Sequence, residues 1–278
     1  YINGVLDTQA TSGSTGNVSF TNSTTLLMKE PGGNLRSSGE LDQLRFYNGV
    51  VSDIGVAELY AETVSDNDDI ELGGPPEIIV SANANAGFSI VKWTGDGSVQ
   101  TIPHGLSSAP GMILFKNLDS TGDWQVYHTS IGNGNKLSLN SSAAASSTSR
   151  FDSTSPTATT FKFNSSSYTG NIIAYCFHDV SGYQKLGSYA GNGTSQSINV
   201  GFKPDFVMLR KYTSGQDWMI FDSVRDGNPK RKRLEANNSD AEVDETTNIN
   251  FTSTGFEFTS GYYNDSGQSS IYWAIKIN

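Results

Sequence analysis

The most constraining feature of this chain is that its second part states one pattern twice. WTGDGSVQTIPHGL (93–106) aligns with YAGNGTSQSINVGF (189–202) without a gap, shifted by 96 positions. PGMILFK (110–116) aligns with PDFVMLR (204–210), and DWQVYH (123–128) with DWMIFD (217–222), both shifted by 94. TFKF (160–163) answers GFEF (255–258), and AYCF (174–177) answers YWAI (272–275). Fixed-period self-similarity marks tandem structural repeats of roughly 95 residues. Their bounds are read as 86–181 and 182–278.

Each repeat reads as antiparallel β-structure. In DWMIFD, Trp218, Ile220 and Asp222 alternate with Asp217, Met219 and Phe221, the period-two pattern of a strand with two different faces. IIAYCF and IYWAIKI are almost continuously apolar or aromatic, so each is expected in the middle of a sandwich, covered on both sides. Asp96-Gly97 and Asn192-Gly193 are expected to be two-residue hairpin turns of type I′. No sustained helical periodicity occurs in the repeats. Composition agrees: only 36% of residues are hydrophobic, aromatics reach 11%, and small polar residues are abundant, as in short strands joined by polar turns.

Ahead of the repeats the pattern differs. YINGVL (1–6) reads as a strand with an Asn-Gly turn. GELDQLRFYNGVVSDIGVAELYAE (39–62) reads as a strand followed by a short helix capped by Ser52, with Val56, Leu59 and Tyr60 on its apolar face. Residues 63–85 carry acidic residues, paired glycines and Pro75-Pro76, which reads as a linker with one short strand near EIIV (77–80). The fold class expected is all-β: an incomplete lectin-like jelly roll followed by two tandem antiparallel β-sandwich repeats.

Two family resemblances follow from these residues. The segment 1–62 resembles the closing part of a laminin-G-like, concanavalin A-like jelly roll, through Glu40, Asp42, Leu44, Phe46, Tyr47, Ser52 and Leu59-Tyr60. Sixty residues cannot close such a sandwich, so a preceding segment is expected. The repeats resemble those of virion proteins from marine tailed bacteriophages, often tail fibres. The residues that carry this are GNGTSQSINVGFKPDFVMLRK (191–211), DWMIFDSVRDG (217–227), STGFEF (253–258) and IYWAIKI (271–277). The resemblance implies a virion structural protein on a tail appendage that attaches to host-surface glycan, alongside other virion proteins and as a homotrimer. Capsid decoration is the alternative, with a polysaccharide depolymerase third.

Several chemistries are disfavoured by the sequence. A formal net charge of −10 repels nucleic-acid phosphates, and no apolar run is long enough for a membrane span. The single cysteine, Cys176, excludes an intramolecular disulfide and a multi-cysteine zinc site. GDG and GNG lack the lysine and following helix of a P-loop. No catalytic residue, cofactor or metal site is expected; the acidic run SDNDDIE (65–71) lacks the glycine and closing glutamate of an EF-hand loop.

The candidate binding residues lie in two places. Asp123-Trp124 recurs as Asp217-Trp218, which points to a structural role: tryptophan filling a core and aspartate bonding a turn. Tyr127 and His128, at the other end of that hexapeptide, differ between the repeats and are the part free to contact a ligand. PKRKR (229–233) is the strong basic cluster, and Lys230, Arg231, Lys232 and Arg233 are candidates for an anionic glycan or an acidic neighbouring subunit. Its simpler reading is a solvated hairpin loop balanced by Glu235, Asp240, Glu242, Asp244 and Glu245.

Overall fold

A computed structural model describes residues 78–259 and 263–277. The lectin-like segment 1–62, the run 65–71 and the linker as far as residue 77 lie outside the described residues. The first repeat contains β1 (Ile79–Asn83), β2 (Phe88–Gly95), β3 (Val99–Pro103), β4 (Met112–Asn117), β5 (Gln125–His128), β6 (Asn135–Ser138), β7 (Ser146–Ser147), β8 (Thr160–Asn164) and β9 (Gly170–Phe177). The second contains β10 (Gln184–Ala190), β11 (Gln196–Asn199), β12 (Phe206–Lys211), β13 (Met219–Asp222), β14 (Lys230–Glu235), β15 (Val243–Thr252), β16 (Gly255–Phe258) and β17 (Ser269–Ile275). The described fold is all-β.

In the first repeat a seven-stranded sheet runs β1-β2-β9-β4-β5-β6-β7, and β3 pairs with β8 across the core. The second repeat keeps the order β10-β17-β12-β13-β14 and continues through β15, β16 and β11. That continuation rests on β14. Its end at Leu234 and Glu235 pairs with β13, its start pairs with β15, and the register shifts between Lys230 and Lys232. A bulge of this kind lets one strand turn the corner between two layers.

Both repeats fill their interiors with aromatic rings placed by strand alternation. Trp93 meets Phe163 edge-on at 5.0 Å, and Phe115 meets Phe163 at 5.3 Å. In the second repeat Phe256 and Tyr272 meet edge-on at 5.4 Å. The alternation read in DWMIFD holds, for Met219 and Phe221 enter the second repeat's own core while Trp218 enters a different one. Cys176 is a free, fully buried thiol whose ordinary value burial pushes up to about 12.

That different core lies between the repeats. Met112, Val126, Leu137 and Phe177 of the first pack with Leu186, Trp218 and Ile271 of the second. Phe177 and Trp273 are 4.7 Å apart between ring centres. Backbone bonds cross the seam as well, from Ala145 N to the Tyr212 carbonyl and from Gln216 N to the Ser142 carbonyl, both 2.9 Å. The outer faces of β9 and β17 are apolar for this reason: each faces its own core on one side and the other repeat on the other. Residues 75–278 accordingly form one compact unit.

Two expectations change. Asp96-Gly97 and Asn192-Gly193 do not close hairpins. β2 and β3 belong to different sheets, and β10 and β11 lie at opposite ends of one sheet that turns its corner at β14, so each turn joins strands that do not pair with each other. Only the glycines take positive φ, +87° and +77°. Asp96 and Asn192 instead accept the amides of Ser98 and Thr194, each at 2.8 Å, which stabilises an Asx turn without the second left-handed residue of type I′. In addition, the short strand read near EIIV runs over Ile79–Asn83 and belongs to the first repeat's sheet instead of the linker. β1 pairs with β2 from Ile79↔Lys92 to Asn83↔Phe88. Its side chains are all exposed, so the strand is held by backbone pairing.

Candidate functional site

The Asp-Trp pairs are built alike. Asp217 Oδ1 accepts from Asn237 Nδ2 at 2.7 Å, while Asn237 Oδ1 accepts from the Trp218 amide at 2.7 Å. In the first repeat Asp123 accepts from Asn140 at 2.9 Å, and Asn140 accepts from the Trp124 amide at 3.0 Å. Each aspartate thus orients an asparagine that receives the tryptophan backbone at the start of a strand. The tryptophans then diverge. Trp218 is buried in the seam, with Nε1 donating to the Ser138 carbonyl at 2.9 Å. Trp124 is half-buried and stacks on Tyr175, with ring centres 6.1 Å apart.

Arg210 lies beside Trp218 and is fully buried, its guanidinium 5.6 Å from the indole ring centre. It donates through Nη2 to the Ala143 carbonyl of the first repeat. Burial pushes its ordinary value down to about 10, partly offset by Asp217.

All three histidines are buried and hold loops. His128 is 0% exposed and faces the seam alongside Met112, Met208 and Trp218. Its Nδ1 accepts from the Ser130 amide at 3.1 Å, which caps a short 3-10 turn at Thr129–Ile131. The ring is therefore neutral with its proton on Nε2, and burial pushes its ordinary value down to about 4 against a weaker opposing pull from Asp179. His104 accepts from the Leu106 amide at 3.2 Å, and its Nε2 lies 3.2 Å from the Thr157 carbonyl. His178 Nδ1 is 2.7 Å from the Asp179 carbonyl and Nε2 3.1 Å from that of Ala84.

The basic cluster is placed in strand β14 instead of a hairpin loop. Lys230 is buried; its ammonium bonds the Asp226 and Gly227 carbonyls at 2.6 and 2.5 Å and sits 5.2 Å from the Phe251 ring centre. Arg233 is buried against Glu235 at 2.6 Å. Arg231 and Lys232 reach outward and pair with Asp244 at 3.1 Å and Glu242 at 3.0 Å. The four cations therefore do not form one open face. The register shift between Lys230 and Lys232 lets both Lys230 and Arg233 turn inward, and of the acidic residues expected to balance the cluster Glu235, Glu242 and Asp244 do so by direct contact.

A cleft of about 420 Å³ opens where the first repeat passes into the second. Ser108, Tyr127, Thr129, Ser155, His178 and Asp179 supply its polar lining, and Pro110, Pro156 and Leu186 its apolar walls. Tyr127 is only 2% exposed and packs edge-on against Phe151 at 4.8 Å. Burial pushes its phenol up from the ordinary value, against a hydrogen bond with Thr129. Asp179 Oδ1 accepts from the Leu186 amide at 2.8 Å, and Oδ2 pairs with Lys185. Gly111 lets the wall close, because a Cβ there would lie 3.0 Å from the Leu186 side chain.

Of the sequence candidates, Tyr127 reaches this cleft, whereas His128 turns into the seam and Lys230 to Arg233 lie on β14 of the other repeat. The cleft itself was missed. Its sequence signal is the fall in repeat offset from 96 to 94, because the first repeat carries two extra residues between Leu106 and Pro110, the stretch that includes Ser108. Among the described residues no cluster of three or more His, Cys, Asp or Glu could hold a metal ion, and no helix is long and apolar enough to cross a membrane.

No curated protein and no solved structure matches the chain. A family match runs without interruption through both repeats, from residue 71 to 277. The chain belongs to the family described as a domain of unknown function, DUF7483.

Proposed function

We propose that this chain is a structural and adhesive component of a tailed-bacteriophage virion, carried on a tail appendage and attaching to host-surface glycan. The observation that carries this reading is the seam. Two sandwiches locked together by a buried apolar layer make a stiff body, suited to holding surface loops at a fixed distance and orientation from an anchoring partner. Polar side chains of the kinds that often do chemistry are committed to that architecture: the histidines hold loops, and Arg210 bridges the repeats. The resemblance of residues 191–211 and 217–227 to phage virion repeats supports the same reading.

Assembly as a homotrimer belongs to this proposal. Weak glycan contacts gain strength when several copies are held together. The edge strand β1 also exposes Ile79 and Val80, which a neighbouring copy would cover. Gold-labelled antibody against the protein, imaged on intact particles, is expected to mark the tail tip. The purified protein is expected to adhere to host cells and compete with infection. Labelling confined to the head, or failure to adhere to host cells, would overturn the proposal.

A further inference from the structure

We infer that the cleft between the two repeats is a binding site for an uncharged sugar ring. This rests on the attachment reading above and assigns it a place. A volume of about 420 Å³ lies in the lower part of the range for small-ligand sites, about 300–1,000 Å³, and suits a mono- or disaccharide. The lining has the chemistry such a ligand needs. Ser108, Thr129 and Ser155 present hydroxyls that both donate and accept, while Pro110, Pro156 and Leu186 offer apolar surface to the faces of a ring.

Charge selects against an ionised ligand. The one carboxylate of the lining, Asp179, is paired with Lys185 and also accepts the Leu186 amide. A carboxylate has about four lone-pair positions, so capacity remains to accept sugar hydroxyls. No Lys or Arg is among the residues lining the cleft, so nothing there would neutralise a sulfate or a sugar acid.

Comparison of the repeats separates what the fold needs from what the cleft adds. Tyr127 occupies the place of Phe221, and both rings fill a core, against Phe151 and Tyr263 respectively. The second repeat folds with no hydroxyl at this position. The first adds one, buried and joined to Thr129, and also adds the two extra residues ahead of Pro110. A buried phenol that packing does not require, in the segment where one repeat alone has grown a wall, is what a recognition site needs.

The experiment uses the full chain and a panel of methyl glycosides of neutral hexoses and N-acetylhexosamines, with sialic acid and sulfated galactose as charged probes. Binding is read by saturation-transfer NMR and calorimetry. At least one neutral glycoside is expected to bind. Tyr127→Phe removes the partner that orients the Thr129 hydroxyl and should weaken binding on the order of tenfold, while costing no more than about 1 kcal/mol in stability, so that the chain stays folded. Ser155→Trp, an exposed change, should abolish binding by filling the cleft. Neutral glycosides bound equally by wild type and both variants would overturn the cleft assignment while leaving the attachment reading standing. Binding of charged probes alone would also overturn it. Adhesion to host cells with no glycoside bound would remove the cleft assignment only; loss of both would remove the attachment reading with it.

Discussion

Asp217 and Asn237 stand twenty residues apart in the chain, and their side chains meet at 2.7 Å so that the asparagine can receive the Trp218 amide. Asp123 and Asn140 repeat the arrangement. A pair that recurs with its full bonding pattern is a folding device. Removing Asp217 as Asp217→Ala frees the asparagine to rotate, and Asn237→Ala leaves the Trp218 amide without its acceptor. Each is expected to cost about 1–2 kcal/mol in urea unfolding. Because both act on one strand start, the double variant should cost clearly less than the sum, which a double-mutant cycle measures.

The seam predicts that the two repeats unfold as one. Trp218→Ala removes one of the two indoles packed in it and the bond to the Ser138 carbonyl, and is expected to cost about 3–5 kcal/mol. Tryptophan fluorescence and circular dichroism should report a single coincident transition in the native chain. Separate transitions for the two repeats would contradict a shared core.

His128 gives the seam a pH dependence. Its folded value, about 4, lies below the ordinary 6.5, so the unfolded chain binds the proton more readily. The contribution is complete above pH 6.5, declines as pH falls from there to about 4, and amounts to roughly 3 kcal/mol once lost. His128→Asn keeps an acceptor for the Ser130 amide and removes the titration. Urea midpoints followed from pH 7 to pH 4 should fall more steeply for the native chain than for the variant.

Gly191 and Gly95 sit at equivalent corners, where a Cβ would come within 2.1 Å of the Asp265 carbonyl oxygen and 2.6 Å of that of Tyr168. Both obstacles are backbone, which cannot swing away. Gly191→Ala is expected to destabilise by about 1–3 kcal/mol and to be the worse of the two, as thermal unfolding would show.

Within β14, Lys230→Ala should destabilise more than Arg231→Ala. The first leaves the Asp226 and Gly227 carbonyls without their shared donor and removes packing on Phe251. The second loses an exposed pairing with Asp244, an interaction that salt already screens. Melting temperatures of the two variants at low and high salt would separate these effects.

Period-two alternation and the repeat together made the strands and the division into halves legible. Met219 and Phe221 could be assigned inward because a strand has only two sides. Nothing local said what lay on the far side of Trp218, since an apolar outer face reads the same whether a second sheet, another copy or solvent covers it. The turn at Asp96-Gly97 was misread because dipeptide chemistry fixes the sharpness of a turn, while layer assignment depends on which distant strand arrives first. His128 looked free because it varied between the repeats. Its variation instead reflects two ways of ending β5 and β13: a buried neutral ring capping a short turn in one, and Asp222 paired with Arg225 in the other. Tyr127 could be singled out from the sequence, but the cleft it lines needs Ser155 and Asp179 from remote segments, which only the fold brings near.

The buried layer between the repeats also bears on how such a chain can be inherited and recombined. Duplication of a repeat invites the picture of interchangeable beads, divisible at residues 181 and 182. Here a crossover at that point would part Phe177 from Trp273 and uncover two greasy sheets at once. The portable piece is the pair, and a successful exchange must carry both halves across together.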